Sequence, residues 1–270
     1  MATSSFRLAL KRAFRLENRR AAIRKGRLET LPLAKRHVTV YLPAGYDDHP
    51  EQRYPVLYMQ DGQNLFDPNR SFIPGQHWRL GEAADSAIGE RKAQPMIIVG
   101  IDNAGAGRID EYTPTREVKR NAGGKADDYA RMLIDELKPL VDESYRTLAD
   151  RAGTAVGGSS LGGLLAMHLV LTHPEVFSAA AVMSPSVWWD NRVILDELDR
   201  FEGRRAKIWL DTGGREGFEA LQDVRTLRDK LKAKGWGADE LKYHEDRRAD
   251  HSERAWANRA PMMLEFLFGV

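Results

Sequence analysis

The stretch Ala155-Val156-Gly157-Gly158-Ser159-Ser160-Leu161-Gly162-Gly163-Leu164-Leu165-Ala166 decides the fold. Within it lies Gly158-Ser159-Ser160-Leu161-Gly162, a G-x-S-x-G pentapeptide. A small apolar run, Gly153 to Val156, leads in, and an apolar run of helical character, Leu164 to Leu171, leads out. A strand that turns sharply into a helix is the setting of a nucleophile elbow, which lifts one serine Oγ clear of a sheet. Glycines two residues either side of Ser160 remove side chains that would collide in the turn, and they let the helix approach its strand. Centring the motif on Ser159 would demand glycine where Leu161 stands. Ser160 is therefore the candidate nucleophile.

Outward from this turn, strand and helix patterns alternate from Tyr54 to the C-terminus with short connections. Tyr54 to Met59 and Pro95 to Ile101 read as strands, the second a near-continuous apolar run of the kind covered on both faces. Ser178 to Met183, Ala206 to Leu210 and Glu240 to Glu245 read as later strands. Helical spacing marks 78–88, 125–144, 194–201, 216–234 and 252–267. Upstream, Arg36 to Leu42 alternates polar and apolar and stops at the turn Pro43-Ala44-Gly45-Tyr46. The pattern predicts an α/β fold, a mostly parallel central sheet with helices on both faces. Ligands bind at the carboxyl ends of such strands.

A chain of 270 residues with 42% hydrophobic content supports one large core. The expected organisation is a basic arm over residues 1–25 and a single domain over 26–270. Residues 1–30 hold nine Lys/Arg against Glu17 and Glu29, so the body carries a net negative charge and no broad face for nucleic acid is implied. Phe6, Leu10 and Phe14 sit at helical spacing in the arm. It reads as an extension lying on the body, a polyanion-binding arm, or an Arg-rich transit peptide. No apolar stretch reaches 18 residues, so no transmembrane segment is expected. The absence of cysteine excludes a disulfide, a thiolate nucleophile and a sulfur-ligated metal, and it fits a reducing compartment, the cytoplasm. No cofactor is called for. The expected partner is a small-molecule ester, and a homodimer is left open.

A serine hydroxyl needs an imidazole to take its proton, and the imidazole needs a carboxylate to hold its tautomer. In a hydrolase of this architecture the chain order is Ser, acid, His. His37, His49 and His77 precede Ser160. His168 lies two turns along the elbow helix, His173 ends that helix, and His244 falls within a strand. His251, in a polar stretch before the last helix, is the expected base. The acid should leave the end of the strand 206–210. Glu216, beyond the Thr212-Gly213-Gly214-Arg215 turn, is favoured over Asp211, which ends the strand itself. The oxyanion requires two backbone donors. One is expected from Leu161, the residue after the nucleophile. The other is expected from Gln63, after Gly62 at the end of the strand 54–59.

With these residues in view, the chain resembles the putative esterase (esterase D-like) family of the α/β-hydrolase superfamily from about Lys35 to the C-terminus. The resemblance rests on Val40-Tyr41-Leu42-Pro43 with Gly45-Tyr46, on Tyr54 to Phe66, and on Arg108 with Glu111-Tyr112-Thr113-Pro114. It continues through Gly158 to Gly163, Ser184-Pro185-Ser186-Val187-Trp188-Trp189, Asp211 to Glu216 and His251-Ser252-Glu253. It implies a serine hydrolase cleaving carboxylic esters through a Ser160-Glu216-His251 triad, and it supports Glu216 over Asp211. It further implies that Trp188 and Trp189 line the substrate pocket, or else make core or lid contacts. Arg108 and Tyr112 would face the same cleft, or Arg108 would form a structural pair with Glu111. One departure is Asp61-Gly62 where many members carry His-Gly. An acyltransferase with the same residues, or a non-catalytic scaffold, is the alternative.

Overall fold

The computed structural model describes residues 23–33 and 36–270. The arm around Phe6, Leu10 and Phe14, with its expected helix, lies outside the described residues. Runs of Val, Ile, Leu and Tyr that lack a polar alternation can be satisfied only in a sheet covered on both sides. Accordingly Val56–Gln60 and Ile97–Ile101 are buried at every position. Among the described residues the main sheet has eight strands. These are β1 (Arg27–Leu33), β2 (Arg36–Leu42), β3 (Val56–Gln60), β4 (Ile97–Ile101), β5 (Thr154–Ser159), β6 (Ala179–Met183), β7 (Lys207–Gly213) and β8 (Leu241–Asp246). Their order is β1-β2-β4-β3-β5-β6-β7-β8. β1 and β2 run antiparallel to their neighbours, and every pairing from β4 to β8 is parallel.

Helices cover both faces. One face packs against residues 126–144 (α2), Leu161–Thr172 (α3), Trp189–Arg200 (α4) and Phe218–Ala233 (α5). The other packs against Leu80–Gly89 (α1) and Glu253–Phe268 (α6). α3 is buried from Leu161 to Leu171, which its all-round apolar sequence requires. α2 widens to π-type turns over Met132–Leu137. This is an α/β-hydrolase-like fold.

Left-handed residues reset several helix boundaries. Arg79 at φ 52° delays α1 to Leu80. Asp190, Asn191 and Arg192 are left-handed, so regular turns of α4 begin only beyond them. Gly217 at φ 104° starts α5 at Phe218, which leaves Glu216 in the preceding turn and not in the helix. Because β3 through β7 are parallel, the loops after Gln60, Ile101, Ser159, Met183 and Gly213 all emerge at one edge of the sheet. The candidate residues gather there.

Candidate active site

Ser160 stands between β5 and α3 at φ 58° and ψ −122°, a conformation an L-residue adopts only when its surroundings impose it. The Ser160 amide donates to Met183 O (3.0 Å), and Ser160 O accepts from the amides of Leu164 and Ser186, both at 3.0 Å. The flanking glycines are needed for close approach. A Cβ on Gly158 would lie 2.8 Å from Gly162 C, and one on Gly163 would lie 2.8 Å from Met183 O. Ser160 Oγ rests 3.3 Å from Ser186 Oγ. Among the described residues no hydrogen bond joins Ser160 to His251.

The turn after β3 lies against the elbow. A Cβ on Gly162 would sit 3.2 Å from Gln60 Cβ and 3.5 Å from Asp61 Oδ2. Gly62 packs on β4 so tightly that its Cβ would meet Gly100 C at 2.5 Å. Asn64 N donates to Asp61 O, and Leu65 N donates to Gly62 O. The amides of Gln63 and Leu161 have no acceptor among the described residues. Two free N–H groups thus flank the elbow, one from each turn.

Asp61, in left-handed conformation at φ 56°, is the anchor of this loop. Arg108 grips its carboxylate with both prongs, Nε to Oδ1 and Nη2 to Oδ2, each at 2.7 Å. Asn103 Nδ2 donates to Oδ1 at 2.6 Å. The Asp61 amide donates to Tyr112 Oη at 3.1 Å. Burial acts to lower the Arg108 pKa, but the hydrogen bond and charge of Asp61 outweigh it and hold the guanidinium above its ordinary value.

These contacts overturn two sequence readings and match one of the alternatives left open for a third. Tyr112 is fully buried, its hydroxyl under the β3 turn and its ring edge-on to Tyr129, so it supports the site from beneath. The alternative Arg108–Glu111 pair does not form, because Asp61 takes Arg108 and Glu111 pairs with Arg36 at 2.7 Å. Trp189 is buried, with its indole N–H on Thr115 O at 3.0 Å, which makes it a core contact. Trp188 is exposed, with Arg120 stacked 5.0 Å above its ring.

Glu216 Oε2 lies 2.9 Å from His251 Nδ1. The Glu216 side chain is 3% exposed and that of His251 43%, so a buried carboxylate holds an imidazole that is open to solvent. Glu216 Oε1 accepts Ser184 Oγ–H and Gly213 N–H, both at 2.6 Å. Burial acts to raise the Glu216 pKa, but the bonds from His251, Ser184 and Gly213 prevail and hold it below the ordinary carboxylate value. Asp211, by contrast, is fully buried. It accepts from Arg259 Nη2 (3.1 Å), Trp209 Nε1 (2.8 Å) and the Ser184 amide (3.1 Å). His168 is taken up elsewhere, between Glu197 (2.8 Å) and Asp127 (3.4 Å).

The sequence did not single out Ser184, Ser186, Trp256 or Arg259 as site residues. A faint signal existed for Arg259. It stands three residues after Trp256 and four before Met263, a charged residue on an otherwise apolar helix face.

Residues 32–267 match the family described as "Putative esterase". The chain is 25% identical over 257 residues to the uncharacterized protein YbbA of Bacillus subtilis (strain 168), covering 91% of this chain and 97% of that one. It is 29% identical over 207 residues to an endo-1,4-beta-xylanase/feruloyl esterase of Xylanibacter ruminicola, covering 75% of this chain but only 25% of that longer protein. Among solved structures, siderophore hydrolase EstB from Aspergillus nidulans superposes with a TM-score of 0.70 at 21% identity, over 91% of this chain and 94% of that one.

Proposed function

We propose, from the premise that the chain belongs to the putative esterase family of ester hydrolases, that it cleaves carboxylic esters through an acyl-enzyme on Ser160. The observation that carries this reading is the 2.9 Å contact between Glu216 and His251. It lies at the same sheet edge as the strained Ser160 turn and two unpartnered amides. The Glu216 carboxylate can only accept, so His251 carries its proton on Nδ1 and presents Nε2 as the base. On ester binding, Ser160 Oγ leaves Ser186, gives its proton to His251 Nε2 and attacks the carbonyl carbon. Nucleophile and base contacts tighten in this way when substrate enters.

The oxyanion is received by the amides of Leu161 and Gln63, the second held in place by the Asp61–Arg108 clamp. His251 then protonates the departing alkoxide, and the acyl group remains on Ser160. Water, deprotonated by His251, releases the acid. Phe72, Ile109, Val118, Trp188 and Phe218 are exposed on the segments that follow the carboxyl ends of β3, β4, β6 and β7, Ile109 in a short helix and Phe218 at the first residue of α5. Exposed apolar side chains on this edge of the sheet suit esters with a bulky apolar portion. The similarity to a feruloyl esterase supports aromatic acyl esters as the first class to try.

The test is a panel of p-nitrophenyl esters of increasing acyl length beside feruloyl and siderophore esters, with and without a competing alcohol. Hydrolysis that disappears in Ser160→Ala is the expected result. Activity that survives in Ser160→Ala overturns the reading, and ester product formed only with the alcohol converts it to acyl transfer.

A further inference from the structure

Three side chains behind the Glu216–His251 pair form a hydrogen-bond set whose direction is fixed by chemistry. Ser184 Oγ lies 3.0 Å from Trp256 Nε1, 2.9 Å from Arg259 Nη2 and 2.6 Å from Glu216 Oε1. Indole and guanidinium nitrogens donate and cannot accept. Both lone-pair sites of the Ser184 hydroxyl are thereby filled, and its single proton has one destination, Glu216. Glu216 in turn accepts from His251 through its other oxygen. Donation therefore runs one way, from Trp256 and Arg259 through Ser184 to the carboxylate that orients the histidine.

The set closes on itself along the chain. His251 stands in the turn just before α6, while Trp256 and Arg259 lie in the first two turns of that helix. The imidazole packs edge-on against the Trp256 ring at 5.0 Å. Arg259 is 1% exposed, held by Asp211 at 3.1 Å and 3.9 Å from Glu216 Oε1. Ser184 is itself pinned at φ 41° by its amide, which donates to Asp211. Pro185 follows, and then Ser186, whose hydroxyl touches Ser160 Oγ.

We infer that Ser184, Trp256 and Arg259 are positioning residues that fix Glu216, and through it His251, in register with Ser160. This rests on the acyl-enzyme reading above. A purely structural role would cost stability and leave the chemistry alone. A positioning role must appear in kcat and in the pH profile. Without the Ser184 hydroxyl, the Glu216 charge loses a competing donor and bears more fully on the protonated form of His251, so the acidic limb of kcat/KM, which reports the base, moves up in pH.

The experiment compares the parent with Ser184→Ala and Trp256→Phe, each removing a polar hydrogen while keeping the bulk of its side chain. Readouts are p-nitrophenyl acetate turnover across pH, fluorophosphonate labelling rate and melting temperature. Ser184→Ala should lower kcat about 10- to 100-fold, the range for loss of one hydrogen bond to a charged group, with KM within about 2-fold and the acidic limb raised. Trp256→Phe should change both in the same direction by less, and it serves if Ser184→Ala fails to fold. Folded variants with parental kcat and a superimposable pH profile would overturn the inference while leaving the acyl-enzyme standing. A parent protein that the fluorophosphonate does not label at Ser160 would overturn both.

Discussion

Asp211 and Glu216 are two carboxylates five residues apart at the end of one strand, both within 4 Å of the same buried arginine. Their surroundings give them opposite characters. Asp211 is enclosed by Arg259, Trp209 and the Ser184 amide, with neither oxygen turned to the cleft. Burial, the largest influence on it, pushes its pKa above the ordinary value despite those donors. Glu216 is nearly as buried by side-chain exposure, but hydrogen bonding overcomes burial and its pKa falls. Glu216 keeps one oxygen for His251 because the Gly213-Gly214 turn folds it back over the strand end. A Cβ on Gly213 would meet Ala249 O at 2.5 Å and Glu216 Oε1 at 2.8 Å. A carboxylate at a strand end can thus hold an imidazole only when the backbone frees one of its oxygens, as it does for Glu216.

Exchanging each acid for its amide should separate the two roles most sharply. Glu216→Gln should lower kcat by about 10³- to 10⁴-fold with little change in melting temperature, since the amide cannot hold His251 in the required tautomer. Asp211→Asn should retain activity within about 10-fold and lose stability. Equal loss of activity in both would erase the distinction. Next in size, Arg259→Leu leaves Asp211 buried without its counter-charge and should cost about 3–5 kcal/mol in urea unfolding. The double change Arg259→Leu with Asp211→Leu should recover part of that loss, because a buried pair replaced by apolar groups is far less costly than a broken one. Gly213→Ala should cost about 1–3 kcal/mol through the backbone clash and slow fluorophosphonate labelling as Glu216 is displaced.

The smallest effect is in the pH dependence of stability. Glu216, with its folded pKa lowered, contributes stability above the ordinary glutamate value that is lost as pH falls through the folded value. Asp211, with its folded pKa raised, contributes in the opposite sense. Its stabilisation is full below the ordinary aspartate value and is lost as pH rises through the folded one. Urea midpoints between pH 3 and 6 should therefore climb less steeply in Glu216→Gln than in the parent, and more steeply in Asp211→Asn.

The backbone-encoded half of the site was the legible half. Gly158, Gly162 and Gly62 announce tight turns by residue type, and each is confirmed by what its Cβ would strike. Apolar runs such as Ile97–Ile101 announce central strands in the same direct way. The side-chain half was legible only where a residue sits alone in its loop, as His251 does. Ser184, Trp256 and Arg259 converge from the loop after β6 and from α6, 72 and 75 residues apart in sequence, and no local pattern records that meeting. Tyr112 misled, and Trp189 was left between two readings, because an aromatic residue looks the same in sequence whether its ring faces a cavity or the core. Arg108 misled because Glu111, one helical turn away, was the nearer acid in sequence, whereas Asp61 is the nearer one in space.

The central claim is that the covalent intermediate forms on Ser160. Rapid acid quench during p-nitrophenyl acetate turnover, followed by fragmentation of the acylated peptide, tests it most directly and separates Ser160 from the adjacent Ser159. An acetyl group on Ser160 that is absent from Ser160→Ala is the predicted result. Turnover with the acetyl group on any other residue, or with no covalent adduct at steady state or in the pre-steady-state burst, would contradict it.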